Sequence, residues 1–120
     1  MRLVAIVQAR LSSSRLPGKV LMKLGGKTVL NHIFERLERC IGIDQLVIAT
    51  SRDKSDDPIE KWARSHKIDF YRGSLDDVLE RYYEAALMYK AQAILRITGD
   101  CPLIDPETIS ELIDKFRSSD

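Results

Sequence analysis

Three cations fall within one ten-residue stretch near the start of the chain: Arg10, Arg15 and Lys19 in RLSSSRLPGK, with Ser12, Ser13, Ser14 and Gly18 among them. Arginine presents a planar fork that matches phosphate oxygens, and lysine adds a compact point charge. The serine hydroxyls and backbone N–H groups supply further donors, and Gly18 lets a ligand approach the main chain closely. A polyphosphate is the ligand this collection suits best. The competing reading is a solvated basic loop. The stretch is not a Walker A motif, because Gly18-Lys19 is followed by Val20 and the earlier glycine is missing; nor does the chain contain G-x-G-x-x-G.

A second candidate is Asp100, directly after Ile97-Thr98-Gly99. A carboxylate at a strand's carboxyl end, facing a triphosphate, could hold Mg²⁺, which takes one or two protein carboxylates beside phosphate oxygens and water. The alternative is a turn aspartate bonding its own backbone between Gly99 and Pro102. Arg72-Gly73-Ser74 stands at another expected strand end, within reach of a nucleotide, while Ser74-x-x-Asp77 also has the spacing of a capping box. His32 and His66 fall inside helical stretches with no serine or cysteine arranged beside them, which argues against nucleophilic catalysis. Cys40 and Cys101 have no second Cys or His at ligand spacing, so neither a zinc site nor a disulfide framework is expected, and a reduced, cytoplasmic setting is.

These candidates need a scaffold, and the apolar pattern supplies one. Arg2–Ala9 is an unbroken run rich in Val and Ile, as in a strand covered on both faces. After the basic loop and a turn at Gly25-Gly26, helical spacing begins at Thr28, with Val29, Leu30, Ile33, Phe34, Leu37 and Ile41 on one stripe and Gly42 placed to end it. Gln45–Thr50 reads as a second buried strand. Asp57-Pro58 reads as an N-cap and first helical residue, opening a helix with Ile59, Trp62 and Ala63 inward. A short strand at Asp69–Tyr71 precedes a helix with Val78, Leu79, Tyr82, Ala85, Ala86 and Tyr89 inward; Ala93–Thr98 is a fourth strand, and Asp105-Pro106 starts a last helix to about Phe116. This alternation predicts an α/β fold: a mostly parallel sheet with helices on both faces, in one domain spanning residues 1–120. In such sheets ligands bind beyond the carboxyl ends of the strands, where the basic loop and Asp100 both fall.

Composition narrows the class. The chain is 44% apolar and 31% charged, a globular balance. The net charge of +1 hides an asymmetry: six bases precede the first acid, Glu35, leaving 13 bases against 18 acids in the rest. That one-sided block suggests an anionic ligand near the N-terminus. It lacks interleaved aromatics, and the remainder is acidic, so nucleic acid is not the expected partner. The early apolar run Leu3–Val7 is too short for a signal-peptide core or a membrane span, so no membrane partner is expected either.

Val7-Gln8-Ala9-Arg10-x-x-Ser13-Ser14-Arg15-Leu16-Pro17-Gly18-Lys19 resembles the signature loop of the sugar cytidylyltransferases, the group containing CMP-KDO and CMP-sialic acid synthetases. Arg72-Gly73-Ser74-x-x-Asp77-Val78-Leu79-x-Arg81 and Arg96-Ile97-Thr98-Gly99-Asp100-Cys101-Pro102 are similar to the spore coat polysaccharide biosynthesis protein F branch. The resemblance covers essentially the whole chain. It implies a Rossmann-like nucleotidyltransferase fold and transfer of CMP from CTP to a sugar hydroxyl with release of pyrophosphate, in cell-surface or spore-coat polysaccharide biosynthesis. It further implies that Arg15 and Lys19 serve catalysis, that Arg10, Arg15 and Lys19 hold the triphosphate, that Ser14 also binds the nucleotide, and that Ala9 offers backbone contacts near the base. Arg72, Ser74 and Arg96 become further nucleotide contacts, and Asp100 the Mg²⁺ ligand. Gln8 and Cys101 depart from the CMP-KDO synthetase pattern of proline and an acid, which bears on the acceptor sugar. Members of the family continue beyond this length, so the resemblance implies the N-terminal half of the family fold, with a C-terminal half or a second copy as partner. A catalytically silent nucleotide-binding or assembly module, lacking the acceptor half, is the alternative function.

Overall fold

The computed structural model describes residues 1–12, 18–99 and 105–118. Among them, four parallel strands form one sheet: β1 (Leu3–Gln8), β4 (Gln45–Ser51), β5 (Asp69–Gly73) and β6 (Ala93–Thr98), in the order β5-β4-β1-β6. A two-stranded antiparallel ribbon, β2 (Lys23–Leu24) and β3 (Lys27–Thr28), turns at Gly25-Gly26 and feeds the first helix. The helices are α1 (Val29–Glu38), α2 (Asp57–Ser65), α3 (Val78–Met88) and α4 (Pro106–Ser118). The expected α/β architecture is the one observed.

The sheet is covered on both faces, and strand alternation decides which side chain goes where. Val7 and Ala9 point to the face packed by α1 and α2, where Leu30, Ile33, Phe34, Leu37, Ile59 and Trp62 close the larger core. Val4 and Ile6, with Val47 and Ala49 of β4, point to the opposite face against Tyr82, Ala85 and Ala86 of α3. Central β1 is therefore apolar at every position from Leu3 to Val7, all of them buried. That continuous run is the pattern of a parallel strand buried on both sides.

Three local expectations are corrected. The α1 stripe ends earlier than its spacing suggests: the helix stops at Glu38, Arg39 closes it, and Ile41 lies beyond it, 79% exposed. Asp57 is the first residue of α2 rather than its cap; a 3-10 turn at Lys54–Asp56, capped by Asp53, leads in, and the Asp57 carboxylate accepts from Arg72 instead. On α3, Val78 and Leu79 face outward, Leu79 at 67% exposure, and the inward position in that first turn belongs to Arg81. The caps at Thr28, Asp77 and Asp105 do what their residue types suggest, each accepting from the start of its helix: the Asn31 N–H, the Glu80 N–H and the Glu107 N–H. Ser74 accepts from the Asp77 N–H and so shapes the turn before that cap.

Candidate functional site

The carboxyl ends of β1 and β6 are stitched together by a 2.7 Å bond from the Gly99 N–H to the Gln8 carbonyl. Gly99 is required there by crowding. A Cβ would sit 3.0 Å from the Ala9 Cβ and from the Gln8 carbonyl oxygen, and 3.2 Å from Val20. Three segments thus meet at one point: the end of β1, the end of β6 and the turn after the basic loop. The loop itself is closed by the Gly18 N–H donating to the Leu11 carbonyl at 2.7 Å, after which Lys19 opens a 3-10 turn that buries Val20. Above this junction lies a cleft of about 240 Å³ bordered by Ala9, Arg10, Lys19, Thr98 and Gly99, with Gln8, Val20, Val78 and Arg81 completing its walls. That is below the roughly 300–1,000 Å³ usual for a whole small-molecule site, so these residues build part of one.

Arg10 is held from below by a buried anion. Its Nε lies 3.5 Å from the carboxylate of Asp56, which is fully buried at the entrance to α2. Asp56 also accepts from the Leu11 N–H at 2.8 Å and from the Ser51 hydroxyl. One carboxylate therefore ties the root of the basic loop to the end of β4 and gives Arg10 a fixed orientation. Its oxygens are committed to these three partners.

Arg81 is the residue that sequence reasoning missed. It sits one residue before Tyr82 on α3, is 0% exposed, and among the described residues its three guanidinium nitrogens find no acceptor. Its stem packs on the end of β5, where a Cβ on Gly73 would lie 2.9 Å from the Arg81 Cγ. Burial, and then the like charge of Arg10, lower its pKa from the ordinary arginine value, while Asp56 acts in the opposite direction. The available signal was positional: Arg81 falls on the inward stripe with Tyr82 and Ala85, and a charge at a core position of a helix calls for a partner.

Of the other expected site residues, Ala9, Arg10 and Lys19 are brought together at the cleft. Ser14, Arg15 and Asp100 lie outside the described residues. Arg72 is directed elsewhere: it donates to the Ser51 carbonyl at 2.7 Å, the Asp53 carbonyl at 2.7 Å, Asp57 at 2.8 Å and Glu60 at 3.1 Å. Burial opposes its charge, but these two carboxylates outweigh that and hold its pKa above the usual arginine value. The α2 carboxylates lie closer than the cleft and consume its fork, so Arg72 pins β5 to α2 in place of the expected nucleotide contact. Ser74 is taken up by the turn before α3, and Arg96 lays its guanidinium 4.4 Å over the Tyr82 ring on the exposed part of β6. Neither borders the cleft. Among the described residues no cluster of His, Cys, Asp and Glu has the makings of a metal site, and Cys40 is a buried free thiol whose pKa burial raises.

Comparison with known proteins gives this geometry a context. Residues 4–120 match the cytidylyltransferase family. The chain belongs to that family. The spore coat polysaccharide biosynthesis protein SpsF of Bacillus subtilis is 38% identical over 112 residues, covering 90% of this chain and 47% of that protein. The structure of a cytidylyltransferase from Leptospira borgpetersenii superposes with a TM-score of 0.92 at 37% identity, over 98% of this chain and 49% of that one. A CMP-KDO synthetase solved as a complex with CTP superposes with a TM-score of 0.82 at 28% identity, over 98% of this chain and 48% of its own. The nucleotidyltransferase fold expected from the sequence is thereby shown, and the chain spans about half the length of these cytidylyltransferases. No helix among the described residues is long and apolar enough to cross a membrane.

Proposed function

We propose that this cytidylyltransferase chain forms the nucleotide-binding half of an enzyme that transfers CMP from CTP to a sugar hydroxyl and releases pyrophosphate. The observation that carries the reading is the convergence of Ala9, Arg10 and Lys19 with Gly99 on one cleft at the carboxyl ends of β1 and β6. Arg10, oriented by Asp56, and Lys19 face the position a triphosphate would take, with Ser14 and Arg15 following in the same loop. The sugar oxygen attacks the α-phosphorus, the bond to the pyrophosphate oxygen breaks, and the hydroxyl proton departs to solvent or a base. No covalent enzyme intermediate is needed. Alignment of the three reacting atoms supplies at most about 7–11 kcal/mol of the barrier, and cations that stabilise charge growing on the leaving group supply the rest.

Mg²⁺ belongs to this proposal. Asp100 would hold it, and phosphate oxygens would complete its shell, which suits an ion that needs only one or two protein carboxylates. Asp56, with its oxygens already committed, is not available for the role. When bound, the ion adds positive charge beside the transferring phosphoryl group. Cell-surface or spore-coat polysaccharide biosynthesis, in the cytoplasm, is the setting we assign, on the strength of the likeness to the Bacillus protein.

A nucleotide-binding module without transferase activity is the second reading, favoured by a cleft smaller than a whole small-molecule site. A C-terminal half or a second copy has a place to dock. β6 pairs only with β1 in the described sheet, and beside it Ile94, Leu112 and Phe116 are exposed around an apolar groove. Pyrophosphate release from CTP and Mg²⁺ across a panel of sugars separates the readings. Release that requires an acceptor supports the transferase; stabilisation by CTP with no release under any acceptor supports the module. Absence of any CTP effect overturns both.

A further inference from the structure

Among the described residues, three that border the cleft carry buried polar atoms without a hydrogen-bond partner; the Arg10 Nε has Asp56 at 3.5 Å, which leaves Arg81 and Gln8, and these differ in kind. Arg81 offers three N–H-bearing nitrogens, while the Gln8 Oε1 offers only lone pairs. Both belong to the same face of the sheet. Val4 and Ile6 of β1 pack against α3, and Gln8, two residues beyond Ile6, continues that alternation toward the helix that carries Arg81. Both residues border the cleft. Buried donors and acceptors are nearly always satisfied, so a donor fork and a lone acceptor left open at one cavity describe the missing ligand.

The ligand edge must place acceptors before the guanidinium and a donor before the amide oxygen. A phosphate carries acceptors only: it would serve the guanidinium but bring no donor to the Gln8 Oε1. Val20 and Val78 add apolar surface to the same cleft, which suits a flat ring better than an anion. Asp56 lies against Arg10 and offsets part of the Arg81 charge, and Lys19 brings a further cation to the cleft on the side of the basic loop. Cytosine has the required edge: O2 and N3 accept, and the exocyclic amine donates. Uracil presents an N3–H to the guanidinium, donor against donor.

The geometry points to Arg81 and Gln8 as the residues that read the base, the Arg81 fork donating to cytosine O2 and N3 and the Gln8 Oε1 accepting from the exocyclic amine. This assignment rests on the nucleotide reading of the cleft and names how that site selects its nucleotide.

The test is titration of the chain with CTP, UTP and cytidine, for the unaltered protein and for Arg81→Met, Arg81→Lys and Gln8→Leu, with melting curves of each alone. The expected result is a preference for CTP over UTP that Arg81→Met and Arg81→Lys both erase, with CTP affinity falling about 10- to 100-fold and cytidine affinity falling by the same factor. Gln8→Leu weakens CTP by a smaller factor. Arg81→Met should leave the melting temperature unchanged or raise it, because an unpartnered charge leaves the interior. A preference that survives in both Arg81 variants overturns the assignment. So does a loss that grows with phosphate number and spares cytidine, which would make Arg81 a phosphate ligand. Binding of CTP and UTP alike by the unaltered chain overturns this inference alone; no binding of either also overturns the nucleotide reading on which it rests.

Discussion

Arg72 and Arg81 are both held inside the structure at the same end of the sheet, and their surroundings are opposite. Arg72 makes four hydrogen bonds, two to backbone carbonyls and two to carboxylates of α2. Arg81, more deeply buried, makes none. The first guanidinium is finished by the fold and holds β5 to α2. The second is left open beside Gln8, Arg10 and Lys19, where the chain has gathered positive charge around a cleft. A saturated arginine is a strut, and an unsaturated one in a cavity is a binding group. The contrast separates scaffold from site more clearly than charge or burial alone.

That separation can be attacked by substitution, beginning with the group expected to matter most for turnover. In an enzyme with its acceptor present, Lys19→Ala should lower pyrophosphate release by roughly 10²–10³-fold while moving the melting temperature by no more than about 3 °C. Equal damage to both would make the cleft a structural feature. Asp56→Ala acts on the joint between the two regions. It removes the counter-charge of Arg10 and the acceptor for the Leu11 N–H and Ser51 hydroxyl, and should cost about 3 kcal/mol of stability by urea denaturation. Nucleotide affinity should fall with it, since Arg10 loses its orientation. Arg72→Ala should cost about 2 kcal/mol and leave CTP affinity within about twofold; a large loss of affinity would return Arg72 to the site.

The smallest effect lies far from the cleft. Asp44 has its pKa lowered, first by the Leu3 N–H and then by Arg117, so its contribution is present above the ordinary carboxylate range and lost as pH falls through the depressed folded value. The urea midpoints of the unaltered protein and Asp44→Asn should therefore differ at pH 6 and draw together as the pH is taken progressively below the ordinary carboxylate range. A constant gap would show that the hydrogen bonds, and not the ionisation, matter there.

The scaffold was largely legible in the sequence because burial on both faces leaves a plain mark. Leu3–Val7 and the inward set Ile59, Trp62 and Ala63 could be read directly, and each lies in the core. The misreadings share a cause. Ile41, Val78 and Leu79 keep the period of their helices but sit at or beyond helix ends, where the last or first turn no longer faces the sheet. At the site, Ala9, Arg10 and Lys19 were readable because three segments of contrasting composition end at one sheet edge. Asp56 and Arg81 were not. Asp56 looks like one more charge in a solvated run, and the fold reveals that it turns inward at the entrance to α2; Arg81 had a positional signal, its place on the inward stripe of α3, which its charge obscured.

β1 lies at the centre of the sheet, pairing with β4 in register Val4 to Gln45 and with β6 in register Leu3 to Ala93. β1 thus waits for one neighbour some forty residues away and another some ninety away, the kind of distant pairing that slows folding. The cleft that Gly99 borders cannot exist before β1 and β6 have paired. Nucleotide capture should therefore follow the slowest kinetic phase of refolding, so that a fluorescent CTP analogue would time the pairing of β1 with β6.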